Sequence, residues 1–298
     1  MKIVVTGSLG HISKPLTQEL VQKGHSVTVV SSKADKQQEI EALGAAAAIG
    51  SVEDVDFLTP TFTGADAVYT MVPPANYFDH NLDLTVYCHN IGNNFANAIR
   101  ASGVKRAVHL SSIGAHMEKD SGIILAHHDV EVILNKLEDV AVTFMRPTSF
   151  YYNLYGYVHM IKNAGFIAAN YGAGDLIPWV SPIDIAAAVA EELTSQLTGK
   201  KIRYVGSDEL TGNQTASILG EAIGIPDLKW IIISDEEAKR GLVDAGMQPA
   251  IAEGLVEMYA GLHNGAFAED YFRNRPAVMG KVKLAEFAKE FAAAFKQN

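Results

Sequence analysis

The chain has 298 residues, 48% of them hydrophobic, and a formal net charge of −10, which is enough apolar material for one large core or two modest ones. An acidic surface without a long basic run repels phosphates and argues against a nucleic-acid partner, and no stretch approaches the ~18 consecutive apolar residues of a membrane span. The lone cysteine, Cys88, rules out an internal disulfide, and "MKIVVTG" enters structure at once without a leader-like apolar region, so a reducing cytoplasm is the expected setting.

In chain order, "KIVVTG" (2–7) is a short β-branched run ending in glycine, and a helix is predicted over 12–23. "SVTVVSS" (26–32) is again strand-like, and "ADKQQEIEALG" is a polar-faced helix closed by Gly44. "AAAAIG" and "ADAVYTMV" supply the third and fourth strands, the latter stopped by Pro73 and Pro74. A long helix is predicted over 81–102, a strand over 107–112, a helix over 125–136 and a strand over 140–147. Strands alternating with helices imply right-handed crossovers and an α/β fold with a doubly wound parallel sheet.

After Pro147 the pattern loosens into an aromatic-rich stretch broken by Gly and Pro. "DIAAAVAEELTSQL" (184–197) then reads as a helix with Asp184 as its cap. A strand "KIRYVG", a helix "TASILGEAIG" and a strand at "KWIIIS" follow. Ser234 and Glu237 form a capping box before another helix. The tail places Leu284, Phe287, Phe291 and Phe295 on one helical face, a core stripe.

"TGSLGHIS" carries the most information. Gly7 and Gly10 lie between the first strand and first helix, in the spacing Gly-x-x-Gly-x-x-Ser. The first glycine permits a tight turn, the second lets backbone amides approach a pyrophosphate, and Ser13 is small enough for helix–strand packing. At the end of the second strand, Ser31, Ser32 and Lys33 take the place of the acidic residue that would pair with the ribose of NAD. Two hydroxyls and a cation suit a 2′-phosphate, so NADP(H) is expected over NAD(H), with Asp35 as a competitor.

The blocks "MKIVVTGSLGHIS", "IRASGVKRAVHLSSIGA", "VTFMRPTSFYYN" and "SPIDIAAAVAEEL", in that order, resemble the NmrA-like branch of atypical short-chain dehydrogenases/reductases along essentially the whole chain. The resemblance implies a Rossmann-like core over 1–150 that binds NAD(P)(H), and a smaller α/β substrate lobe over 151–298, packed on and partly interleaved with the core. It implies cofactor contacts from Gly7, Ser8, Leu9, Gly10, His11 and Ile12, from Ser31 to Lys33, and from Met71, Val72 and Pro73. Ser111 near the nicotinamide ribose, and Pro147, Thr148, Ser149 and Phe150 flanking the nicotinamide, complete that set. Family members include quinone and dye reductases as well as regulators that sense NADP(H) and act through a protein partner.

Ordinary short-chain dehydrogenases use a tyrosine as acid and a lysine four residues later. Here His127 and Glu131 occupy those positions, which removes alcohol dehydrogenase or sugar epimerase chemistry as the leading expectation. Reduction of a quinone needs less from the protein, because the electron sink lies in the acceptor. His127 is the candidate acid and His128, about 100° around the helix, the weaker one. Tyr151, Tyr152 and Trp179 offer flat aromatic surface to a planar conjugated acceptor, while Tyr77 and Phe78 form a flap. No His/Cys/Asp/Glu set has metal-ligand spacing. The expected protein is a monomer or homodimer: an NADPH-dependent reductase of a small conjugated molecule, or alternatively a non-catalytic NADP(H) sensor.

Overall fold

A computed structural model describes residues 1–196 and 198–297. The first half alternates strictly: β1 (Lys2–Val5), α1 (Ser13–Gln22), β2 (Ser26–Ser31), α2 (Gln37–Ala42), β3 (Ala46–Ile49), α3 (Val55–Phe62), β4 (Ala67–Met71), α4 (Leu84–Ser102), β5 (Arg106–Leu110), α5 (Leu125–Asn135) and β6 (Ala141–Pro147). Then come β7 (Ser149–Phe150), α6 (Val158–Ala164), β8 (Phe166–Ala169), β9 (Leu176–Val180), α7 (Pro182–Thr194) and β10 (Lys200–Val205). The chain continues through β11 (Asp208–Thr211), α8 (Gly212–Ile223), β12 (Lys229–Ile232), α9 (Asp235–Asp244), α10 (Pro249–His263), α11 (Ala266–Arg273) and α12 (Leu284–Gln297).

Seven strands form one sheet in the order β10-β6-β5-β4-β1-β2-β3, every pair of which is parallel. The order reverses at β1, where β4 lies on one side and β2 on the other. That switch point opens a crevice at the carboxyl ends of the strands, the place where ligands bind in doubly wound sheets. The strands carry apolar residues toward both faces, as burial on both sides requires. On one face α1 and α7 cover the sheet, and on the other α3, α4 and α5 do so. The fold is thus the Rossmann-like α/β doubly wound parallel sheet that the alternation predicts.

The sheet recruits β10 from beyond residue 199 as its edge strand, and α7 packs on α1. A third core, built from α6, α8, α10, α11 and α12 with the small sheets β11-β9-β7 and β12-β8, lies over the crevice. Leu284, Phe287 and Phe291 are buried in it and Phe295 packs against it, as the helical stripe predicts. The Ser234–Glu237 capping box is present. A second box, Thr211 with Gln214, starts α8 three residues before the predicted helix.

Asp184 corrects one expectation. Ser181 caps α7, accepting from the Ile183 amide at 3.2 Å. Asp184 lies one turn in and turns away from the helix end, accepting from Ser207 Oγ (2.7 Å) and from the amides of Lys281 (2.9 Å) and Val282 (3.0 Å). It clasps the segment leading into α12. The predicted end of this helix at Leu197 lies outside the described residues; α7 itself stops at Thr194.

Candidate active site

The carboxyl ends of β1, β2, β4, β5 and β6 open into one cleft of about 880 Å³. Its floor begins at the glycine loop. Gly7 has φ +91°, and a Cβ there would lie 2.5 Å from Met71 Sδ and 2.6 Å from Ser13 Oγ. The loop is therefore drawn tight onto the strand ends, and Ser13 fixes it by donating to the Thr6 carbonyl at 2.8 Å. Ser8 adopts φ +54° and its amide donates to the Val30 carbonyl. No side chain caps the start of α1; the Lys14 amide donates to the Gly10 carbonyl and Pro15 has none, so it is the turn amides just ahead of them, with the positive dipole end, that face an anion. A tight glycine turn aimed at an uncapped helix start is the cradle a pyrophosphate needs, so the residues present fit a dinucleotide.

The other predicted cofactor residues mostly converge here. Gly7, Ser8, Gly10, His11, Ile12, Ser31, Ser32, Met71, Val72, Pro73, Ser111, Pro147, Thr148, Ser149 and Phe150 all line the cleft. Ser8 and Ser31 share a hydroxyl–hydroxyl bond of 2.8 Å at the end of β2. Two expected contacts fall outside. Leu9 packs toward the core under α1, and Lys33 is exposed beyond the rim. Lys36 pairs with Glu39 at 2.9 Å.

The missing tyrosine and lysine are replaced by two different devices. At the lysine position, Glu131 is buried and held bidentately by Arg146, with Nε to Oε1 at 2.9 Å and Nη2 to Oε2 at 2.6 Å. Ser111 donates its hydroxyl to the same Oε1 at 2.5 Å. Arg146 reaches onward to Asp270 (3.4 Å) and the Tyr204 hydroxyl (3.3 Å), and Tyr204 donates to Asp270 at 2.5 Å. Burial works against the guanidinium charge, but the Glu131 bonds outweigh it and raise the Arg146 pKa further. One cation and two carboxylates thus stand behind Ser111.

At the tyrosine position, His127 lines the cleft with its Nδ1 shut away from water and unpartnered. Burial pulls its pKa down to about 4, so the ring is neutral at pH 7. An imidazole that titrates near neutrality, as expected from sequence, is absent here because the site strips its solvation. His128 turns the other way, its Nδ1 3.0 Å from the Ala115 carbonyl oxygen, and does not reach the cleft. His109 lies behind His127, fully buried, with Nδ1 2.9 Å from Thr70 Oγ1; burial first, and His127 second, lower its pKa to about 3.

The aromatic candidates divide. Tyr152 lines the cleft in a stack with Phe150 on one side and His11 on the other, centroids 4.9 Å apart in both cases. Tyr77 and Trp179 also line it, whereas Phe78 points to solvent at 55% exposure. Tyr151 does not reach it. Its ring is buried between Trp179 and Phe287, and its hydroxyl donates to Asp208 at 2.7 Å. Adjacent residues in the turn of 3₁₀ helix over 151–157 point in different directions, so only one of the pair faces the ligand space.

The far wall was not legible in sequence. Leu255, Met258, Tyr259 and Leu262 from α10, with Phe267 from α11 and Tyr171, close the cleft opposite the glycine loop. Tyr171 and Tyr259 stack at 4.6 Å. α10 can come this close because Gly122, at φ +55°, meets the Gly254 backbone with no room for a Cβ. A Pro at the first position of α10 and a positive-φ Gly265 after it were the available signals. The roof joins Tyr77 to the α9–α10 turn: the Gln248 amide donates to the Tyr77 carbonyl at 2.9 Å. Among the described residues no group of three or more His, Cys, Asp or Glu could hold a metal, and no helix is long and apolar enough to cross a membrane.

Known proteins agree with this geometry. Residues 7–196 match the family described as NAD(P)H-binding. An NAD(P)H azoreductase of Xenophilus azovorans is 27% identical, the alignment covering 98% of this chain and 99% of that one. An NADPH-dependent quinone oxidoreductase of Escherichia coli, solved with NADPH, superposes with a TM-score of 0.81 at 19% identity, covering 97% of this chain and 99% of that one. A triphenylmethane reductase of Citrobacter sp. gives 0.78 at 20% identity, with 99% and 100% covered. With its glycine cradle, its parallel sheet order and a match spanning most of the chain, this protein belongs to the NAD(P)H-binding family, in the NmrA-like branch of atypical short-chain dehydrogenases/reductases.

Proposed function

We propose that the chain is an NAD(P)H-dependent oxidoreductase that reduces a quinone or a similar planar, conjugated small molecule, with NADP(H) preferred. The observation that carries this reading is the continuity of the cleft, which runs from the glycine cradle to an aromatic chamber without an intervening wall. Residues 1–150 serve mainly the dinucleotide and residues 151–298 mainly the acceptor. Bound NAD(P)H would supply a hydride at the boundary between the two.

The chain's own groups do the positioning. The turn amides leading into α1 would hold a pyrophosphate, and the Ser31 and Ser32 hydroxyls meet the adenosine ribose end, where Lys33 can swing in from the rim to a 2′-phosphate. Ser111 donates its proton to Glu131, so it turns lone pairs, not its O–H, toward the cleft. Neutral His127 offers an imidazole hydrogen bond to an acceptor oxygen, not a free proton. Met258 and Tyr259, the latter backed by Tyr171, supply the apolar wall against which a conjugated acceptor excludes water, and Tyr152, stacked between Phe150 and His11, adds its ring edge. Steady-state NADPH oxidation against a panel of benzo- and naphthoquinones tests the reading. Turnover with several of them is expected. Tight NADPH binding with no turnover of any acceptor would refute it and leave the sensor.

A further inference from the structure

We propose that the acceptor half of the cleft is a charge filter: it admits planar aromatic molecules that carry no negative charge and rejects anionic ones. The inference rests on the oxidoreductase reading only for where the acceptor sits; the filter itself follows from side chains.

Among the described residues, no lysine or arginine lines the cleft. The acceptor half is walled by Tyr77, Tyr152, Tyr171, Tyr259, Met258 and Phe267, none of which can neutralise an anion. Sulfonate, carboxylate or phosphate groups carried into such a space lose their hydration and gain no countercharge, and that desolvation cost is the dominant electrostatic penalty in buried sites. Aromatic faces reverse the balance for cations, which are attracted to the negative face of a ring.

The surroundings deepen the bias. The nearest buried cation is Arg146, and it is already claimed by Glu131 and reaches Asp270 as well. That cluster sets two carboxylates against one guanidinium behind Ser111, so it presents negative, not positive, potential to the cleft. Neighbouring His116 brings no offset, because burial lowers its pKa. His127 is neutral. The one carboxylate on the cleft wall, Glu53, lies on the loop after β3, at the dinucleotide end. Lys14, Lys36 and Glu39 form their own cluster outside. The chain's net charge of −10 adds to the field an anion would meet on approach.

The distinguishing experiment compares three ligands of nearly equal shape: 2-naphthol, its 6-sulfonate, and a naphthyl trimethylammonium ion. Dissociation constants are measured on the full chain, with and without NADP⁺, by quenching of tryptophan fluorescence, to which Trp179 in the cleft wall contributes. The sulfonate should bind at least ten-fold more weakly than the neutral compound, about 1.4 kcal/mol, and the cation at least as tightly. Equal affinity for sulfonate and naphthol overturns the filter. A Met258→Lys variant places an ammonium on the half-buried wall and should recover sulfonate binding several-fold; no recovery in a folded variant also counts against it. Failure of NADPH oxidation with every quinone would remove the reductase reading and leave these binding ratios to decide the filter.

Discussion

Replacing Arg146 with methionine isolates the energetics of the buried cluster behind Ser111. Methionine keeps much of the side-chain volume and removes the charge. Arg146 and Glu131 side chains are 4% and 10% exposed, so the variant leaves a carboxylate in a nearly dry site with only the Ser111 hydroxyl as partner. Breaking a buried pair from one side costs about 3–5 kcal/mol, most of it the penalty of the stranded charge. Removing the charge from both sides, as in the double variant Arg146→Met with Glu131→Gln, should cost much less than the sum of the two single changes, with a coupling of about 1–3 kcal/mol. Urea denaturation followed by far-UV circular dichroism gives all four stabilities. The reasoning fails if Arg146→Met lies within about 1 kcal/mol of the parent, or if the two substitutions simply add.

Other outcomes follow from the same geometry. Lys33→Ala should weaken NADPH binding about ten-fold or more while leaving NADH nearly unchanged; equal losses in calorimetric titration would reject the NADP(H) preference. Gly7→Ala forces a Cβ into Met71 and Ser13 at a positive φ, so both cofactor affinities should fall by more than ten-fold with the fold retained by circular dichroism. His109, whose folded pKa is about 3 against 6.5 unfolded, binds fewer protons folded than unfolded between those values. Its contribution is complete above about pH 6.5 and is lost as pH falls toward 3, a term of roughly 3–5 kcal/mol. His109→Gln should therefore flatten the decline of Tm from pH 6.5 to 4. Asp184→Ala strands the Ser207 hydroxyl and two amides, costing about 2–3 kcal/mol, and hydrogen exchange at Lys281 and Val282 should accelerate first.

The glycine loop and the sheet were legible because each demands a narrow residue choice: only glycine tolerates the backbone at Gly7, and β-branched runs between helices can only build a parallel sheet. Tyr151 and Tyr152 show where such reading stops. They are chemically identical neighbours in a short helical turn, and the one turned away from the cleft, Tyr151, stacks on Phe287, far along the chain. Asp184 had a cap's composition and position, yet its partners are amides almost 100 residues later. The α10 wall was missed because its apolar face resembles any core-facing helix; only the close approach of Gly122 and Gly254 turns it into the wall of a cleft.

The placement of β10 and α7 bears on how the chain is made. A ribosome that has released only the first 150 residues has delivered six of the seven parallel strands. It has not delivered Ile185, Val189 and Leu193 of α7, which packs beside α1 and over β4, β5 and β6, nor the strand that covers the open edge of β6. An unpaired edge and an uncovered apolar face are aggregation hazards. The N-terminal half must therefore remain incomplete, and in need of protection, until residues near 205 have emerged, so that its folding finishes only after synthesis of the C-terminal half is well under way.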